Sequence, residues 1–177
     1  MITEVLSFWF EETPPRLWFT ATAKFDRQVC ERFQPLVQAA AAAELSDWRS
    51  SYSGRLAEII VLDQFSRNVY RGTPQAFAQD AMALALAQEA VAAGALLSLD
   101  PDQCHFLLMP YMHSESAVIH RVAEPLFRQY APVGHKHEVQ HKAIIERFGR
   151  YPHRNKVLGR ESSIEELEFL QQPNSSF

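Results

Sequence analysis

"TPQAFAQDAMALALAQEAVAAG", residues 73–94, decides the fold. Thr73 has the side chain of a helix N-cap, and Pro74 suits the first helical position, where a missing amide hydrogen costs nothing. The alanine-rich run that follows has high helix propensity, and Gly94 supplies a left-handed stop. The stretch therefore predicts a helix opened by Thr73 and closed at Gly94. Upstream, Leu56, Ile59, Ile60 and Asp63 fall on one helical face behind a cap at Ser53, in a helix ending near Asn68. Thr3 caps a first helix through about Glu12, closed by "TPP" at residues 13–15. A second helical region from about Ala23 to Leu45 is expected to be broken by Pro35.

Downstream, "SLDPDQ" starts a helix at about Pro101 that Pro110 should disturb. Another spans about Ser114 to Tyr130, with Glu124 and Pro125 marking a kink. "APVGHKHE" separates it from a helix over about Lys136 to Phe148. "SSIEELEFL" carries Ser162 or Ser163 as cap and acids in its first turn. Only 6 glycines and no sustained apolar alternation leave no strand to predict. The expected class is all-α: antiparallel helical hairpins in a stack or irregular bundle of about 8 to 10 helices. With 47% hydrophobic residues, the 177-residue chain is expected to form one all-helical domain over residues 1–177.

A net charge of −4 argues against a surface devoted to nucleic acid or anionic lipid. Cys30 and Cys104 have no paired spacing and read as free thiols in a cytoplasmic protein. No apolar run approaches a membrane span. Phe8, Trp9 and Phe10 stand beside Glu4, Glu11 and Glu12, which anionic lipid would repel, so they read as core. Charge is nonetheless uneven: between 141 and 160, Lys142, Arg147, Arg150, Arg154, Lys156 and Arg160 face only Glu146 on the sequence.

Four constellations could carry chemistry. In "LDQFSRNVYRGTPQAF", Asp63 and Arg67 are one turn apart and can pair, while Arg67, Asn68 and Arg71 can grip a carboxylate or phosphate. In "RFGRYPHRNKVLGRES", Arg150, His153, Arg154 and Asn155 follow a helix end, without nearby acids to neutralise the arginines. "HSE" places His113 and Glu115 at a helix boundary. "HEVQH" matches the zinc pattern with His137, Glu138 and His141, but the extended form needs glycine and histidine where Ile144 and Arg147 stand. It reads as coincidence, with His141 retained on an inward face.

These motifs, with "VLSFWF" and "FD" at Phe25 and Asp26, resemble the bacterial family called domain of unknown function 924, from residue 5 to 162. The resemblance implies a tetratricopeptide-like stack with a right-handed superhelix. It also implies a polar signature at Asp63, Gln64, Arg67, Asn68, Arg71, His113, Glu115, His141, Arg150, His153, Arg154 and Asn155, without His137 and Glu138. No cofactor follows from it. The leading expectation is a small anionic ligand held by Asp63, Gln64, Arg67, Asn68, Arg71, Arg150, Arg154 and Asn155. Proton transfer would fall to His113, His141 or His153, with Glu115 or Asp63 orienting. The two Arg-Asn stretches should then converge on one pocket. No nucleophile with a convincing partner supports catalysis over binding. The alternative is a scaffold for an acidic peptide; a lesser one is a metal held by Asp63, His113, Glu115 and His141.

Overall fold

The computed structural model describes residues 1–20, 22–173 and 175. Ala21 lies outside these residues, as do Asn174, Ser176 and Phe177 of the "QQPNSSF" tail. Helices follow one another: α1 (Ile2–Ser7), α2 (Ala23–Ala41), α3 (Tyr52–Ile60), α4 (Ser66–Val69), α5 (Asp80–Ala92), α6 (Pro101–Met112), α7 (Ala117–Tyr130), α8 (Pro132–Phe148) and α9 (Ile164–Leu170). Two π turns, Phe8–Glu12 and Val61–Phe65, extend α1 and join α3 to α4. No strand occurs among the described residues. The class is all-α, as the composition predicted.

The deciding stretch folds differently at its start. Pro74–Phe77 form a short 3-10 turn, and the α-helix begins only at Asp80. The Thr73 hydroxyl donates to the Tyr70 carbonyl, so it caps nothing. Gly94 does adopt the left-handed conformation, with φ 87°. Pro35, Pro110 and Pro125 all sit inside unbroken helices. Around Pro35, buried Phe33, Leu36 and Val37 anchor both halves of α2 to the core, which offsets the one backbone hydrogen bond proline removes. Helix α8 starts at Pro132, ahead of the expected Lys136. Caps also shift: Ser51 rather than Ser53 accepts from the Gly54 amide, and Ser163 with Glu166 forms a capping box.

The main core runs from Val5 to Ala131 and is built on aromatic rings. Phe33 stacks on Phe65 at 4.8 Å, Phe8 meets Phe33 at 4.9 Å, and Trp9 meets Phe106 edge-on at 5.2 Å. The Phe8–Phe10 cluster is thus interior, with Phe10 half-buried. No helix among the described residues is long and apolar enough to cross a membrane. Helix α3 packs on α1, α5 and α6, and α6 continues to α7 and α8.

Helices α6 and α8 meet closely at Gly134, where a Cβ would lie 2.4 Å from His105 Nδ1 and 3.0 Å from the Phe127 ring. Gly134→Ala should therefore cost about 1–3 kcal/mol by overpacking. Urea unfolding measures this, and an unchanged midpoint would mean that the His105 ring swings aside freely.

Candidate functional site

The π turn at Val61–Phe65 holds one residue more per turn than an α-helix, and such insertions often occur at functional sites. Here it leaves both Asp63 and Gln64 buried, with the Gln64 amide donating to the Asp63 carboxylate. Arg67 folds back over this turn. Its Nη1 donates to the Asp63 carbonyl at 2.7 Å and stands 3.1 Å from Asp63 Oδ1. At the C-terminus of α6, His113 brings Nδ1 to 2.7 Å from the same carboxylate oxygen.

The late start of α5 places Asp80 beside Arg67, whose Nη2 donates to Asp80 Oδ2 at 3.1 Å. Arg154 Nη1 donates to that same oxygen, also at 3.1 Å. His113, Asp63, Arg67, Asp80 and Arg154 thus form one continuous chain of polar contacts. The Arg154 guanidinium lies between two aromatic faces, 4.6 Å from the Phe77 centroid and 4.7 Å from that of Tyr151. Both ends of the chain border a cavity of about 460 Å³. Its wall includes Trp18, Phe19, Met109 and Met112, together with His105, His137, His141 and His153.

Burial opposes charge on Asp63, but Arg67, His113 and the Gln64 amide outweigh it and hold the carboxyl well below the usual range. Burial, with the Arg67 charge, lowers the His113 imidazole against the pull of Asp63. Burial also lowers His141 to about 3, and His105 and His153 to about 4. At neutral pH those three rings are uncharged. Burial and neighbouring Arg67 even depress Arg154.

The structure brings together Gln64, Arg67, Asn68, Arg71, His113, His141, His153 and Arg154 on the cavity, with Asp63 directly behind His113. Asn68 and Arg71 are tied to Asp26: the amide donates at 2.9 Å, and the guanidinium donates through Nε at 2.6 Å and Nη2 at 2.8 Å. Besides Asp63, three expected site residues line no part of this cavity. Arg150 donates to Glu166 through Nε and Nη2, at 2.6 and 2.8 Å. Asn155 joins Ser162 and Arg160. Glu115 accepts from Arg160 and from the Tyr151 amide. The C-terminal arginines, without matching acids beside them in the sequence, find Asp80, Glu115 and Glu166 elsewhere in the fold.

Sequence reasoning missed Asp80, Asp26, Phe77 and Tyr151. Asp80 reads locally as an ordinary first-turn acid, and only the fold reveals its two arginine partners. The "HEVQH" helix disperses its side chains: buried Glu138 contacts His120 Nδ1 at 2.7 Å, and His141 Nδ1 donates to the His137 carbonyl at 2.8 Å. Among the described residues, no group of three or more His, Cys, Asp or Glu is arranged to hold a metal ion.

A protein-family model described as "Bacterial protein of unknown function (DUF924)" matches residues 5–174. The solved structure of a protein of unknown function from Agrobacterium tumefaciens is similar over 96% of each chain, with 35% identity and a TM-score of 0.91. No curated protein matches significantly.

Proposed function

The chain belongs to the DUF924 family of bacterial proteins, and from that premise we propose that its cavity binds a small anionic ligand bearing a carboxylate or phosphate, with Arg154 as anchor. The observation that carries this reading is the condition of Arg154. Its residue is 6% exposed, yet among the described residues its five N–H donors make one hydrogen bond, to Asp80, and Nε has no partner. A buried donor without an acceptor is costly, and a guanidinium with an open edge is suited to a carboxylate or phosphate fork. Arg67 contrasts with it, being filled by Asp63 and Asp80. The reading is of a cytoplasmic protein, which two unpaired cysteines fit.

The neutralised arginines favour a small ligand over an acidic peptide, which would need guanidiniums displayed along an open groove. They also leave little for nucleic acid, since Lys142, Arg150, Arg154 and Arg160 of the basic segment are each paired with an acid.

Thermal unfolding against inorganic phosphate, nucleoside monophosphates and aromatic carboxylates tests the proposal. A binder at 100 times its Kd should raise Tm by about 5–10 °C, from roughly 2.7 kcal/mol of linkage. Arg154→Lys keeps the charge but removes the fork, and should remove most of that shift. Stabilisation by an acidic peptide, with none by any small anion, would move the assignment to the scaffold reading.

A further inference from the structure

We infer that this cavity is a proton-abstracting site, in which His113 is the general base and the ligand is a weak oxygen acid whose conjugate anion rests on Arg154. The inference rests on the anion-site reading above and adds to it a reaction and a substrate class: phenols, enols and enolisable hydroxy compounds.

The geometry of the polar chain supports it. Asp63 has no measurable exposure and is surrounded by donors from Gln64, Arg67 and His113, so its carboxylate is an acceptor at His113 Nδ1. Nδ1 must then carry the proton. In the neutral ring this leaves Nε2 with its lone pair, and the ring borders the cavity, so Nε2 is the nitrogen a bound molecule meets. At the far end of the same chain, Arg154 borders the same cavity, and its Nε has no hydrogen-bond partner among the described residues. A base and a cationic donor therefore bound one space, held apart by the rigid sequence Asp63, Arg67 and Asp80.

The step balances without a further reactant. The O–H bond of the ligand breaks, its electron pair stays on oxygen, and an N–H bond forms at His113 Nε2. The imidazolium is stabilised by Asp63 and the oxyanion by Arg154. His105, His137, His141 and His153 also face the space, as does Tyr151; His113 is in direct contact with a buried carboxylate. Trp18, Phe19 and Met109 provide an apolar wall against which a planar ring can lie.

4-Nitrophenol is the probe, because its phenolate absorbs visibly and its neutral form does not. Equilibrium dialysis measures binding, and the absorbance of the bound probe measures its ionisation. Below the probe's own pKa, the native protein should raise the phenolate-to-phenol ratio of bound probe by about tenfold over free probe, one unit of apparent pKa. His113→Gln should still bind the probe but lose this enrichment. In the native protein, ¹⁵N-histidine spectra should show one ring with protonated Nδ1 that becomes doubly protonated on binding; this readout stands if the variant folds poorly. Binding without ionisation, or equal ionisation in His113→Gln, overturns the inference while leaving the anion site intact. Absence of binding by 4-nitrophenol, together with a thermal screen in which no small anion stabilises the protein, overturns both.

Discussion

Asp63→Ala should lower the unfolding free energy by about 3–5 kcal/mol, the range for breaking a buried ion pair from one side. The carboxylate is fully enclosed and joins three elements: the π turn that carries it, His113 at the end of α6, and Arg67 at the start of α4. Its removal leaves the guanidinium of Arg67 with Asp80 as its one carboxylate, beside the main-chain carbonyl of position 63, and leaves His113 Nδ1 and the Gln64 amide facing a void. Most of the loss therefore belongs to the groups left behind. The double variant Asp63→Leu with Arg67→Met should recover a part of it, because an apolar pair of similar bulk orphans fewer charges. Urea unfolding of the single and double variants measures both values. A loss below about 1 kcal/mol for Asp63→Ala would show that water reaches this position and that the polar chain adds little to the fold.

Acid should destabilise the protein steeply before its carboxylates titrate. In the unfolded chain His105, His141 and His153 bind protons at about 6.5, whereas in the folded protein they do so at about 4, 3 and 4. Between these limits the unfolded state holds more protons, so stability rises with pH: the contribution is complete above about 6.5 and is lost as pH falls toward 4. Each histidine contributes a slope of about 1.4 kcal/mol per pH unit, or roughly 4 kcal/mol per unit for the three in mid-window. Below that window the depressed carboxyls of Asp63 and Glu166 continue the loss, since their stabilisation is present above about 4 and disappears as they protonate. Unfolding free energies at pH 7, 6 and 5 test the slope, and His141→Gln should reduce it by about a third. A flat profile over that interval would contradict neutral, buried rings.

The all-helical class was legible because its signals are local. Gly94, Asp100 with Gln103, and Ser163 with Glu166 stop or start helices through atoms a few residues away. The errors came where tertiary contact outweighs local preference. Pro35 is a breaker by rule, yet α2 continues through it. The Thr73–Pro74 signal marks a 3-10 turn because Phe77 must sit beneath Arg67 and Arg154. For the site, residue types identified most of the cavity's polar wall, including Arg67, His113, His141 and Arg154. What the sequence could not show is which charges cancel. Asp80 and Arg154 are 74 positions apart, and Arg160 finds Glu115 across 45; no spacing rule reaches that far. The π turn was hidden for a related reason, since Leu56, Ile59, Ile60 and Asp63 fit an ordinary α-helical period.

The polar chain also sets an order of assembly. Asp63, Arg67 and Asp80 leave the ribosome long before Arg154, and Tyr151, which closes over the guanidinium, is equally late. Loop-closure entropy grows only slowly over such separations, so the delay is set by synthesis rather than by chain entropy. A polypeptide ending before residue 150 retains the sequence of the whole aromatic core from Val5 to Ala131, but it exposes Phe77 and leaves Asp80 short of one cation. A chain that ends there lacks the Tyr151 and Arg154 wall of the cavity.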